Sequence, residues 1–141
     1  MPDDPSPQTR AQQQADRMWQ ADLASQRLGI VLGAVAPGRA SASMTVRPDM
    51  VNGHGTCHGG YLFLLADTAF AFACNTHDPP VVAAGADVAF LAPVRAGDRL
   101  VATAVERVLA GRSGLYDVTV RRDEDVVLEF RGRSRAVPTR T

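Results

Sequence analysis

One stretch of the chain constrains its fold more than any other: Gly60-Tyr61-Leu62-Phe63-Leu64-Leu65-Ala66-Asp67-Thr68-Ala69-Phe70-Ala71-Phe72-Ala73-Cys74. A run that is apolar on every side of a 3.6-residue period predicts a helix enclosed by other elements, not one laid on a surface. It is shorter than the roughly 20 residues needed to span a bilayer, so protein must do the enclosing. Asp67 is its one charged residue. An ionised carboxylate there is penalised unless it is paired, hydrogen-bonded or reached by water. Buried carboxylates are rare and often functional, which makes Asp67 a candidate catalytic residue. A structural Asp67, bonding a backbone N–H or capping a loop, is the alternative.

The segment upstream reads Asn52-Gly53-His54-Gly55-Thr56-Cys57-His58-Gly59-Gly60. Glycine and small polar residues predict an irregular loop that can approach a ligand closely and feeds straight into the helix. The first N–H groups of a helix lack intrahelical partners and sit at the positive end of its dipole. Gly59 has no side chain to block that end, so its N–H is available to an anion or a polarised carbonyl.

Gly59 and Asp67 cannot serve one reacting centre within a single subunit. Eight residues at 1.5 Å rise separate them by about 12 Å along the axis. Reacting groups must approach to about 3–3.5 Å. The distance therefore predicts a composite site, in which Gly59 of one copy faces Asp67 of a second across a two-fold axis, with two equivalent sites per dimer.

A chain of 141 residues fits one domain with a proper core. A formal net charge of +0 gives no electrostatic case for nucleic acid or an anionic membrane. Cys57 and Cys74 are too few for a disulfide framework and suit a reducing compartment. Met1-Pro2-Asp3-Asp4-Pro5-Ser6-Pro7 lacks the basic start and apolar stretch of a signal peptide, and a cytoplasmic protein is expected.

Residues 1–8 are expected to be disordered, 9–27 to form an N-terminal helix and 28–137 to form the folded domain. Ala15, Met18, Trp19 and Leu23 recur at helical spacing in the N-terminal part. Two strands follow, the second alternating Ala40, Ala42, Met44 and Val46 with polar residues. After the apolar helix come four strands, at 81–91, 98–109, 115–122 and 126–136. Short turns between consecutive strands favour antiparallel pairing. One helix wrapped by one antiparallel sheet is an α+β architecture. In the last strand Val126, Leu128 and Phe130 are expected on one face, and Glu129, Arg131, Arg133 and Arg135 on the other. The basic face is either a solvated outer surface or a cationic patch for phosphates.

These residues also carry a family likeness. Asn52-Gly53-His54, Thr56-Cys57-His58-Gly59-Gly60, Leu65-Ala66-Asp67-Thr68-Ala69-Phe70-Ala71 and Ala73-Cys74-Asn75 together resemble the phenylacetate-pathway acyl-CoA thioesterases of the hotdog-fold superfamily. Phe90-Leu91, Pro93, Ala96-Gly97-Asp98, Gly114, Tyr116-Asp117 and Phe130-Arg131-Gly132 extend the likeness over roughly 28–135. The resemblance implies a long central helix held in a curved antiparallel sheet of five to six strands. It also implies a homodimer with composite sites, commonly a dimer of dimers, hydrolysing aryl-acyl-CoA thioesters without metal or cofactor.

By the same resemblance Asp67 is the catalytic carboxylate, acting as general base or as nucleophile. Gly59 polarises the thioester carbonyl, Asn52 positions the thioester or water, and His58 orders the loop or assists binding. Gly60, Thr68 and Phe63 are expected beside the substrate, with Tyr61 and Phe70 as further candidates for the acyl pocket. Arg112, Ser113, Arg131 and Arg133 are expected near the nucleotide end of coenzyme A. One departure stands out: Val82-Ala83-Ala84-Gly85-Ala86 offers no hydroxyl to orient the attacking water, where several relatives carry Ser or Thr. Thr68 is the candidate substitute.

Rival readings are a cysteine hydrolase using Cys57 near the helix start, and a zinc site from His54, Cys57 and His58, which lacks a spaced fourth ligand. A hotdog dehydratase would carry a His-Phe-Pro-Gly type loop, absent here. An acyl-CoA-binding regulator on the same fold need not keep Asp67.

Overall fold

The computed structural model describes residues 4–138. In chain order its elements are α1 (Pro7–Ala21), α2 (Leu23–Arg27), β1 (Val31–Ala36), β2 (Arg39–Thr45), α3 (Gly59–Cys74), β3 (Val81–Phe90), β4 (Arg99–Ala110), β5 (Ser113–Arg122) and β6 (Asp125–Ala136). The N-terminal region departs from expectation at two points. Ser6 accepts a hydrogen bond from the Thr9 N–H and Pro7 opens the first turn, so α1 begins inside the tail expected to be disordered through residue 8. Residues 1–3 of that tail lie outside the described residues. The helix expected over 9–27 is broken at Asp22, whose ψ of 75° is not helical and whose carboxylate accepts from the Ser25 N–H to start α2.

The sheet runs in the order β1-β2-β4-β5-β6-β3, with every neighbouring pair antiparallel. β4, β5 and β6 are joined by short turns, and left-handed Gly111 (φ 60°) sits in the first of them. β3 pairs with β6 along its length, from Val81 opposite Ala136 to Phe90 opposite Leu128. Among the described residues no strand pairs with its other edge, and Val82 and Phe90 of β3 are more than half exposed.

α3 packs chiefly against β2, β4 and β5. Leu65, Ala66, Ala69 and Ala73 are wholly buried, against Ala102, Ala104, Val118 and Val120. Phe70 lies 5.6 Å from Tyr116 and 5.7 Å from Phe130 between ring centroids. Rings at this spacing add about 0.5–1.5 kcal/mol per pair beyond their area burial. The residue opposite them must be small: a side-chain carbon on Gly132 would sit 2.7 Å from the Phe70 ring.

From Leu128 to Arg135, β6 alternates as the sequence predicts, with the arginines exposed. Upstream it does not. The β5–β6 register shifts between Val120 and Arg121, which leaves Val127 as an extra residue. Val127 is buried beside Leu128, Val126 is only half-buried, and the Val127 carbonyl accepts from the N–H groups of Leu91 and Ala92. One apolar helix enclosed by a six-stranded antiparallel sheet is the α+β hotdog arrangement. Among the described residues no helix is long and apolar enough to cross a membrane.

Candidate active site

The loop before α3 is organised by Asn52. Its side-chain carbonyl accepts from the N–H groups of His54 (2.9 Å) and Thr56 (3.3 Å), while its backbone N–H donates to the Thr56 carbonyl. Gly55 supplies the left-handed residue the turn requires, at φ 80°. The Asn52 amide NH₂ has no acceptor among the described residues and remains free to donate. Cys57 and His58 are tied to Val94 and Met50 through their backbone N–H groups.

His58 is the N-cap of α3, and its Nδ1 accepts from the Gly60 N–H at 2.9 Å. That satisfies one orphan donor of the first turn, so the N–H of Gly60, a residue expected beside the substrate, is engaged within the helix cap. The Gly59 N–H has no acceptor among the described residues. It therefore carries the open positive end of the helix. A groove of about 340 Å³ lies beside it, bounded by Thr56, Cys57, Leu62, Phe90 and Val94. Burial pushes the Cys57 thiol up, away from the thiolate a cysteine nucleophile requires.

Asp67 lies two turns further along α3 and is half-buried. Its carboxylate has no hydrogen-bond partner among the described residues. Burial pushes its carboxyl above the usual range, and the charge of Asp22 adds to the effect. Gly60, Phe63, Leu64, Asp67 and Ala71 form the helix stripe that the sheet does not fully cover, whereas Leu62, Leu65, Ala66, Ala69 and Phe70 are buried. Asp67 thus opens on the incompletely covered side of α3.

The other candidates divide. Phe63 stays on the Asp67 side, one turn away, its ring 5.3 Å from Phe130. Phe70 is core, and Tyr61 is half-buried with its ring 6.3 Å from His58. Thr68 turns away: it is buried, and its hydroxyl meets that of Ser25 at 2.9 Å. The helix carries these neighbours onto different faces, so the hydroxyl beside Asp67 in sequence is committed to α2, not to a water.

Arg112 and Ser113 sit on the β4–β5 turn around a small cavity of about 90 Å³ with Cys74 and Val81. This is the end of α3 opposite Gly59. Arg131 forks onto Asp117 through contacts of 2.7 and 2.9 Å, with Arg107 at 3.4 Å from the same carboxylate. Arg131, joined by Arg107, holds the Asp117 carboxyl below the usual range. Arg133 is paired with Asp87 at 2.9 Å. Of the three arginines expected near coenzyme A, Arg131 and Arg133 are already engaged by carboxylates from neighbouring strands, which strand alternation alone does not reveal.

Sequence reasoning missed Asp22, Ser25 and Phe90. Asp22 carried a readable signal, since an Asp immediately before an apolar helical residue is a helix-start pattern, whereas Ser25 carried none. Phe90 reaches Gly59 only through the fold. Among the described residues no three His, Cys, Asp or Glu side chains converge as metal ligands.

One long helix enclosed by a six-stranded antiparallel sheet places the chain among the hotdog-fold proteins. The family model described as "Thioesterase superfamily" matches residues 54–129, and the chain belongs to that superfamily. It is a thioesterase of the phenylacetate-degradation type. It is 43% identical over 129 residues to the acyl-coenzyme A thioesterase PaaI of Escherichia coli (strain K12), covering 91% of this chain and 92% of the relative. The solved structure of the E. coli PaaI protein from the phenylacetic acid degradation operon superposes with a TM-score of 0.91 at 41% identity, over 94% of this chain and 97% of that one. A mutant of the phenylacetic acid degradation protein PaaI from Thermus thermophilus gives 0.78 at 38% identity, over 81% and 98%.

Proposed function

We propose that the protein hydrolyses acyl-CoA thioesters, with phenylacetyl-CoA, its ring-hydroxylated forms or related aryl-acyl-CoA as substrates, giving the free acid and coenzyme A in phenylacetate catabolism. It acts in the cytoplasm as a homodimer, assembled further into a dimer of dimers. The observation that carries this reading is the half-buried Asp67 carboxylate, without a partner among the described residues, on the stripe of α3 that the protomer leaves uncovered.

In the dimer a second copy covers that stripe and brings its own Gly59 and Asn52 to Asp67. The thioester carbonyl oxygen accepts from the Gly59 N–H at the positive end of α3, where a single such donor is worth about 10²–10³ in rate. The free amide of Asn52 positions the thioester or the water. Asp67 takes a proton from water as the water oxygen bonds to the carbonyl carbon. The tetrahedral intermediate then collapses, the C–S bond breaks and the coenzyme A thiolate leaves. A raised carboxyl suits this role, because a stronger base accepts the proton more readily. Direct attack by Asp67 through a mixed anhydride uses the same geometry.

A panel of acyl-CoA thioesters assayed for free thiol tests the reading. Aryl-acetyl-CoA should be turned over fastest, and Asp67→Asn should lower kcat at least ~10²-fold with KM largely kept. Absence of thiol release from every aryl-acyl-CoA would overturn it.

A further inference from the structure

A helix start leaves four backbone N–H groups without intrahelical partners, and at α3 these belong to His58, Gly59, Gly60 and Tyr61. Three of the four are engaged. The His58 N–H donates to the Met50 carbonyl at 2.8 Å, and the Tyr61 N–H donates to the His58 carbonyl at 3.0 Å. The Gly60 N–H donates to His58 Nδ1 at 2.9 Å. Only the Gly59 N–H has no acceptor among the described residues, so His58 takes both donors that follow it.

The imidazole is placed for this by its surroundings. His58 is extended, at φ −60° and ψ 132°, as an N-cap must be. The Tyr61 ring stands nearly perpendicular to it at 6.3 Å. Glycine at 60 lets the ring come close, since a side-chain carbon there would stand 3.1 Å from Nδ1 and 3.4 Å from Cε1. Nδ1 uses its lone pair on Gly60, so the neutral ring carries its proton on Nε2. The groove beside Gly59 is walled by Thr56, Cys57, Leu62, Phe90 and Val94, and the His58 ring is not among its walls.

We propose that His58 is a positioning residue for the hydrolysis and acts through Nδ1: by holding the Gly60 N–H it leaves Gly59 as the single open donor for the thioester carbonyl. This inference rests on the assignment of Gly59 as that donor, and it decides for ordering the helix start over a contact with substrate. With Gly60 also open, a carbonyl oxygen can settle on either of two donors one residue apart, a rise of about 1.5 Å. A displacement of that size at a reacting centre costs up to about 10²-fold in rate.

The test is kcat, KM and Tm for aryl-acetyl-CoA hydrolysis in His58→Asn, His58→Gln and His58→Ala. Asparagine sets a side-chain oxygen near the place of Nδ1 and caps helices well. Glutamine reaches the place of Nε2 with its amide, and alanine reaches neither. His58→Asn should keep kcat within about threefold of wild type, whereas His58→Gln and His58→Ala should each lose about 10-fold in kcat with KM within about twofold. Equal kcat across wild type and all three variants, whatever their Tm, would make the cap structural only and overturn the inference. Activity kept in His58→Gln and lost in His58→Asn would move the role to Nε2 and overturn it too. Equal loss in all three would do the same, by assigning the role to the ring itself. A fully active Gly59→Pro would instead overturn the assignment beneath it, because proline suits the first helical position and has no N–H.

Discussion

The ring of Phe90 ends 3.0 Å from the point where a side-chain carbon on Gly59 would lie. The strand that follows α3 thus returns to close one side of the helix start, and only glycine leaves both the ring and the open N–H in place. Gly59→Ala should displace the ring or the first turn by a few tenths of an ångström. Because small misplacements at a reacting centre are costly, turnover should fall by about 10²-fold. The melting temperature should change little, as Phe90 is already half exposed. Steady-state kinetics and a thermal melt on the same variant check this.

Asp67→Asn should stabilise the protein while disabling it. The folded state binds the Asp67 proton more tightly than the unfolded chain, whose reference value is 3.8. That favours folding below 3.8, and the advantage is lost as pH rises through the higher folded value. At neutral pH the ionised carboxylate is therefore a liability that asparagine removes. Tm at pH 7 should rise in the variant, and the gap from wild type should narrow as the pH falls towards 4. A lower Tm at pH 7 would mark Asp67 as structural.

Much of this was legible in the sequence, for identifiable reasons. The helix over 60–74 had no other way to hide its apolar surface, and the strands announced themselves through Pro-Gly and Gly-rich turns. The cross-subunit site followed from helical rise alone, as an expectation. What stayed hidden depends on partners far apart in the chain. That β3 lies beside β6 and not β4 is a matter of non-local pairing. The bulge at Val127 appears only once β5 and β6 are in register. The basic face of β6 was open to two readings, a solvated surface or a cationic patch, until the fold paired Arg131 with Asp117 and Arg133 with Asp87. Thr68 read as a neighbour of the reacting group until Ser25 claimed its hydroxyl.

Gly132→Ala should be among the more damaging single-atom additions to the core. Its new methyl would stand 2.7–2.8 Å from three carbons of the Phe70 ring, which is itself locked between Tyr116 and Phe130. Overpacking of this kind costs about 1–3 kcal/mol. Chemical denaturation should show that loss with an unchanged dependence on denaturant.

The arginines should separate by their present partners. Arg131 and Arg133 must leave Asp117 and Asp87 to reach a phosphate, whereas Arg112 has no ion-pair partner among the described residues. Arg112→Ala should raise KM for acyl-CoA several-fold and flatten its dependence on salt, with kcat unchanged. Arg131→Ala should leave KM within about twofold and Tm almost unchanged, as expected of an exposed pair. KM measured at two ionic strengths distinguishes them.

The most direct test is subunit mixing. Asp67→Ala and Asn52→Ala homodimers should each be nearly inactive, since every site lacks one of its groups. Exchanged into heterodimers, they should regain one intact site in two, with Asn52 and Gly59 from one chain and Asp67 from the other. Recovery of about half the wild-type activity per heterodimer is the predicted result. Mixtures that exchange subunits yet stay inactive would contradict the composite site.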